Sequence, residues 1–557
     1  MAYGSALSAA EDAPGTRKAR GAFFTPPELA RFVARWAIRF PDDHVLEPAC
    51  GEAEFLVAAS DCLRSLGCKS AVAERNVVGC EVHEASAEKA VGRLGALGCS
   101  ANIVVSDFLR LAPDPSFDVV IGNPPYVRFQ SLSSDQKDAI GAIAERHGVA
   151  VSSLSSLWMP FVLHSVSFLK SGGRLGLVLP AELLTVNYAA PLRSFLMASF
   201  SSVRLATFDE PVFPEVQEEV VLLLADGWRA GSCSSITWQQ CDDIADLASG
   251  KLALYQPPSE GARWSGLFAS SDSLSSLGRL TGAGEFVSLS QWGTLSLGAV
   301  TGNNSFFVLN QSEFEQWGFA SDDVLRLCPP GSRHLRRLAY TEKDEGAAAE
   351  RGAGVYLFRP GADPSEAAQR YIAYGEELGV QNAYKCRVRS PWWRVPVGGV
   401  PDAFVTYMNA YGPSICANDA KVRVLNSCHS LFYHPEISEP ARSLLPIASL
   451  NSATMFGAEI TGRAYGGGML KLEPREAGML AVPSPVLVAS CADDLRTVAP
   501  YVEKLLEKRD YDGAISLVDA VLIPRTSLQE VSFVQMKSSA TLMRLRRKKR
   551  AKFKKVG

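Results

Sequence analysis

The residues best suited to chemistry stand together where Val119-Val120-Ile121-Gly122 runs into Asn123-Pro124-Pro125-Tyr126. A β-branched run that stops at two prolines is a strand with an abrupt end, because each proline removes a backbone donor and fixes φ. What faces outward is a carboxamide, free carbonyls and an aromatic ring. That set suits a planar amino group. The Asn123 oxygen and the Pro124 carbonyl each accept one N–H, and Tyr126 stacks on the ring. Accepting both hydrogens draws the amino nitrogen out of conjugation and leaves its lone pair nucleophilic. The plainer alternative is a strand followed by a proline turn.

Three more strand ends carry suitable groups. Val45-Leu46-Glu47-Pro48-Ala49-Cys50-Gly51 reads as a strand, a tight turn and a helix start, with one glycine and no GxGxxG. Gly79-Cys80-Glu81 ends a second strand in an acid that can accept both hydroxyls of a ribose. Ser106-Asp107-Phe108 ends a third, where Asp107 can accept an exocyclic N–H and Phe108 can cover a ring. Either acid could also serve as a helix N-cap. Their recurrence at successive strand ends favours a nucleoside site.

The elements that must hold these ends alternate. Short strands fall at His44–Leu46, Asn76–Cys80, Asn102–Val105, Phe117–Ile121 and Arg174–Leu179, with helical stretches such as Glu54–Leu66 and Glu84–Leu97 between the first of them. This rhythm implies a mainly parallel sheet with helices on both faces and ligands beyond the strands' carboxyl ends. The chain's 557 residues call for more than one domain. We expect a catalytic domain over 1–235, a linker or irregular connection over 236–285, a second domain of mixed structure over 286–535, and a basic tail over 536–557. The formal charge of -3 hides an asymmetry: nine Lys/Arg lie between Arg544 and Lys555, leaving 47 against 59 Asp/Glu elsewhere. The tail reads as a disordered arm for phosphate. The 12 cysteines are scattered without a CxxC, so neither a disulfide framework nor a metal site is expected. A start without a signal peptide and the lack of a long apolar run point to the cytoplasm and away from membranes.

With these motifs in this order, the chain resembles the gamma class of N6-adenine DNA methyltransferases of bacterial restriction-modification (type II-like) systems. The resemblance covers about residues 17 to 230. It implies a Rossmann-like domain binding S-adenosyl-L-methionine, with a C-terminal mixed α/β target recognition domain. Gly21-Ala22-Phe23-Phe24-Thr25-Pro26-Pro27 matches the segment closing over the cofactor's methionine part, giving Phe23 and Thr25 as contacts. Glu47, Ala49 and Gly51 match the cofactor loop, Glu81 the ribose acid, and Asp107 with Phe108 the adenine contacts. Asn123, Pro124, Pro125 and Tyr126 match the catalytic motif. Phe213 in Val212-Phe213-Pro214 matches the residue against the flipped adenine's second face, opposite Tyr126. Glu52 and Ala53 depart from the family, standing where a glycine is often found.

In the second half, Tyr384-Lys385-Cys386-Arg387-Val388-Arg389-Ser390-Pro391-Trp392-Trp393-Arg394 mixes basic and aromatic residues. Read as a strand, it turns Lys385, Arg387 and Arg389 to one face. With Arg394 they are candidate DNA contacts. The expected partner is double-stranded DNA, with a separate cognate restriction endonuclease as a candidate second. Competing readings are a methyltransferase for RNA or protein glutamine, an N4-cytosine enzyme (which usually has Ser or Asp at 123), a fused nuclease, and a phage-defence DNA-binding subunit without turnover. The chain's length and the intact Asn123 motif argue against them.

Overall fold

The structure is a computed structural model that describes residues 25–69, 75–99, 101–210, 212–213, 219–257 and 259–553, with the side chains of 466 and 549–553 outside it. It divides into two compact units, residues 268–548 and the remainder.

The first unit is built on a nine-stranded sheet. In chain order its leading elements are α1 (Pro27–Ala37), β1 (Val45–Glu47), α2 (Glu54–Ser65), β2 (Val77–Glu81), α3 (Glu84–Ala96), β3 (Asn102–Val105), β4 (Phe117–Gly122), α4 (Ser134–His147), α5 (Trp158–Ser165) and β5 (Leu169–Pro180). Then come β6 (Phe200–Phe208), β7 (Val220–Trp228), β8 (Ile236–Cys241) and β9 (Ala253–Tyr255). The spatial order is β3-β2-β1-β4-β5-β7-β6-β8-β9. The first five strands across the sheet run parallel, and β7 lies antiparallel between β5 and β6. Order reverses at β1, which has β2 on one side and β4 on the other. In such sheets the crevice at that reversal is where ligands bind.

The local chemistry explains the elements. Val119, Val120 and Ile121 are fully buried, which fits a central strand covered on both faces. Leu29, Ala30, Val33, Ala34 and Ala37 form the buried stripe of α1, and α2 buries Phe55, Leu56, Ala59 and Leu63. Glycine lets helix and strand approach closely: a Cβ at Gly176 of β5 would lie 2.7 Å from Val33 of α1. Arg174 and Asp43 form a buried ion pair at 2.8 Å, and Asp43 also accepts the backbone N–H groups of Arg39 and Phe40.

Residues 236–257 are not the connection that their mixed composition suggests. β8 pairs parallel with β6, and β9 pairs antiparallel with β8. Polar Gln239 is fully buried there, its Nε2 donating to the Asp246 carbonyl at 2.9 Å. A buried, satisfied glutamine looks like loop composition in a sequence.

The second unit combines a five-stranded, mainly antiparallel sheet, smaller sheets and helices. Its largest core joins Trp292, Val405 and Leu431 to helical residues such as Leu445, Phe456, Val502 and Val518. Two expectations fail here. Tyr384–Arg387 is a short helix, so Lys385 and Arg387 do not alternate on a strand face. The basic run is not a free arm as far as Phe553: it continues α6 (Glu530–Phe553), whose Phe533, Met536, Ala540 and Met543 are buried in the core, and Lys554 and Lys555 lie outside the described residues. The run of like charge masks an apolar stripe that starts before it.

Candidate active site

The carboxyl ends of β1, β2, β3 and β4 open on a cavity of about 690 Å³. Its wall includes Thr25, Glu47, Ala49, Gly51, Glu81, Asp107, Phe108, Asn123 and Pro125. Four separate strand ends thus reach one space. Phe23 lies outside the described residues.

Each acid is held differently. Glu81 is clasped by backbone, its two carboxylate oxygens accepting the Gly51 N–H at 3.0 Å and the His83 N–H at 2.9 Å. Its remaining lone pairs are available to hydroxyls. Asp107 caps a short 3-10 turn by accepting the Leu109 N–H at 3.1 Å, while its other oxygen accepts Gln136 Nε2 at 3.2 Å. The capping and cavity-lining readings of Asp107 therefore both hold. Glu47 is buried, and its Oε2 has no hydrogen-bond partner. Burial, followed by repulsion from Glu81 and Glu54, raises its pKa well above the ordinary value against a lowering backbone hydrogen bond. The neighbouring thiols are no nucleophiles: burial pushes Cys80 up to about 12 and Cys50 higher still.

The turn from β1 to α2 uses two left-handed residues, Gly51 (φ 49°) and Ala53 (φ 69°). Ala53 is the unusual one, because its side chain disfavours that conformation. The departure from glycine noted in the sequence therefore leaves the backbone path in place.

At the end of β4, Asn123 is oriented from two sides. Its Nδ2 lies 3.4 Å from Thr25 Oγ1, and its Oδ1 lies 2.8 Å from the Tyr126 hydroxyl. That hydroxyl is also 3.1 Å from the Val178 carbonyl of β5. Tyr126 thus buttresses the carboxamide through its oxygen, which composition alone did not suggest. Pro124, Tyr126 and Phe213 are not on the cavity wall. Phe213 is buried in the core cluster against which Tyr126 packs.

Sequence reasoning missed Gln136, Arg93, Leu132, Leu157 and Phe161, all lining the cavity. Gln136 was visible only as the fourth residue of a capping box, which marks a helix start; its Oε1 does serve the Ser133 N–H, at 3.3 Å. Arg93 donates to the Glu52 carbonyl and pairs with Glu54, tying the cofactor loop to α3. Phe108 stacks into an aromatic cluster with Phe161, His164 and Phe168 at 4.8 to 5.3 Å.

The candidate DNA contacts, all in the second unit, divide. Lys385, Arg387 and Arg394 are exposed. Arg389 is spent on structure: it donates to the Val300 carbonyl, and its Nη1 is buried without a partner.

The cavity suits a cationic nucleoside. A buried carboxyl at Glu47 with one unpartnered oxygen complements positive charge, Glu81 offers ribose acceptors, and Asp107 and Phe108 offer an acceptor and an aromatic face. S-adenosylmethionine, with its sulfonium and adenosine, fits that set.

Comparison with known proteins agrees. Residues 100–213 match the model of the Eco57I restriction-modification methylase, and residues 261–523 match that of the type II methyltransferase M.Eco57I, C-terminal domain. Over 530 residues the chain is 22% identical to the type II methyltransferase M.AccI of Acinetobacter calcoaceticus, covering 92% of this chain and 94% of that one. It is 24% identical over 480 residues to M.XamI of Xanthomonas campestris pv. amaranthicola, covering 83% and 85%. In fold it resembles the type IIL restriction-modification enzyme MmeI, with a TM-score of 0.58 at 12% identity over 95% of this chain and 75% of that one. Matched in both halves to such enzymes, and with a cavity that accepts their cofactor, the chain is a restriction-modification DNA methyltransferase that uses S-adenosylmethionine.

Proposed function

We propose that this methyltransferase acts on N6 of an adenine flipped out of double-stranded DNA, with site-specific methylation protecting host DNA from a separate cognate endonuclease. The observation that carries the reading is Asn123, held by Thr25 and Tyr126 at the mouth of β4, on the wall of the cavity that holds the nucleoside-type acids. S-adenosylmethionine supplies an electrophilic methyl group when bound. The protein supplies the rest. The Asn123 oxygen and the Pro124 carbonyl accept the two amino hydrogens and raise the nucleophilicity of the lone pair. The second proline keeps the backbone rigid, so little reorganisation is needed. Tyr126 and Phe213 flank the extruded base, a stacking contribution on the order of 1–3 kcal/mol. That role requires Phe213 to leave its buried position on DNA binding. Lys385, Arg387 and Arg394 remain the exposed candidates for phosphate. A carboxamide at 123, rather than Ser or Asp, favours adenine over cytosine.

The test is Asn123→Ala. Methyl transfer should disappear while S-adenosylmethionine still binds with wild-type affinity by calorimetry. A variant that methylates at near wild-type rate overturns the assignment. Mapping modified bases in the DNA of an expressing cell should return N6-methyladenine within one repeated sequence.

A further inference from the structure

Three arginines of the second unit converge on one loop. Arg359 directly follows the strand Tyr356–Phe358, and its Nε donates to the Val395 carbonyl at 3.2 Å. Arg423 stands between the strands Ile415–Asn418 and Cys428–Tyr433, and its Nε donates to the Gly398 carbonyl at 3.3 Å. Arg394 belongs to the loop itself and is exposed. The loop is not adrift: Val395 is fully buried among Leu327, Leu357 and Phe358, and the Arg394 N–H donates to the Pro391 carbonyl at 3.1 Å.

The geometry leaves donors over. Arg359 and Arg423 each use Nε on a backbone carbonyl, so their terminal nitrogens keep the fork that matches phosphate oxygens. None of the three forms an ion pair among the described residues. Arg326 and Arg337, in the same unit, engage Glu345 and Asp344. Burial, with the nearby charges of Arg394 and Arg423, draws the Arg359 guanidinium below its ordinary pKa, as expected of cations gathered without a counterion. Gly398 and Gly399 are exposed beside them and place no side chain in the way of an approaching strand.

We propose that Arg359, Arg394 and Arg423 form a clamp for backbone phosphates of the duplex DNA substrate. The proposal rests on the DNA reading above, and it adds two arginines that the sequence did not single out while setting Arg389 aside. Three guanidiniums gathered at a single loop exceed the charge of one phosphate, which suits successive phosphates of a strand better than a small anion. The contacts would position the duplex without reading bases.

The test is the salt dependence of binding to a mixed-sequence DNA duplex, followed by fluorescence anisotropy. Glutamine is the replacement because it keeps a donor for the loop carbonyls while removing charge. Each lost phosphate contact lowers the slope of log K against log salt by roughly 0.9. The triple variant R359Q/R394Q/R423Q should therefore flatten the slope by roughly 2–3, with S-adenosylmethionine affinity and melting temperature unchanged. If the triple variant melts early, R394Q alone decides, since the Arg394 side chain holds no hydrogen bond among the described residues; it should flatten the slope by roughly 0.9. A wild-type slope in the folded variant overturns the clamp while leaving the methyltransferase reading intact. A wild-type protein that neither binds nor methylates duplex DNA overturns both.

Discussion

Glu47 is a buried carboxyl with an unpartnered oxygen, and it faces a cavity suited to a cation. In the absence of cofactor this costs stability. The folded-state pKa is raised above the ordinary 4.5, so the folded protein holds the proton longer than the unfolded chain does. Stability from this group is therefore full below about pH 4.5 and falls as pH rises through the folded-state value. Glu47→Gln should raise the melting temperature of the cofactor-free protein, by a margin that widens as pH rises above about 4.5. The same change should weaken S-adenosylmethionine binding by about tenfold or more, as expected where a site is strained for function. A variant equally stable at all pH values would refute the argument. Tyr126 allows a second experiment at this scale. If its hydroxyl orients Asn123, Tyr126→Phe keeps the ring but should lower the single-turnover rate by about tenfold, with DNA affinity unchanged. An unchanged rate would overturn the orienting role of the hydroxyl and leave Tyr126 to stacking through its ring alone.

The turn between β1 and α2 shows how elements aim these side chains. Gly51 is left-handed, and a Cβ there would meet no atom within 4 Å, so any cost of Gly51→Ala is backbone strain. That cost is about 1–2 kcal/mol, read from chemical unfolding. Ala53 already bears such strain at 0% exposure. In Ala53→Gly, relief of about 1–2 kcal/mol is offset by the loss of a buried methyl, about 0.8 kcal/mol, and by about 0.4–1 kcal/mol of added unfolded-state freedom. The net change should stay within about 1 kcal/mol of zero. This half of the molecule was legible in the sequence because parallel strands buried on both faces write continuous β-branched runs. Their ends therefore located Glu47, Glu81 and Asn123, while Asp107 follows β3, a partly exposed edge strand read from its short Ile103-Val104-Val105 run. Gln136 was not legible as a site residue, since its capping role accounts for its presence. β8 was not legible because its buried Gln239 is polar. The segment at Tyr384 was misread because alternating charge over four residues is compatible with one helical turn.

Across the molecule, positive charge is used in two ways that composition cannot separate. Arg359, Arg394 and Arg423 have no acidic partner among the described residues. Arg544 and Arg547 of α6 are engaged within the second unit. Arg547 is buried with Glu459, their side chains 4% and 6% exposed and 2.6 Å apart, and its Nη1 donates to the carbonyls of Asn409 and Gly468. Arg544 lies over the Tyr411 ring at 3.8 Å. Arg544 and Arg547 thus lock α6 against the core, and their replacement tests folding more than DNA affinity. Arg547→Ala leaves Glu459 buried and unpaired, a loss of about 3–5 kcal/mol. The double variant Glu459→Gln/Arg547→Met removes both charges and should recover most of that loss in denaturant titrations, since a buried pair replaced by neutral groups of similar size is often nearly neutral. Salt dependence of DNA binding should be unchanged in the double variant. A flattened slope in a fully folded double variant would instead return Arg547 to the DNA surface and refute its assignment as a lock.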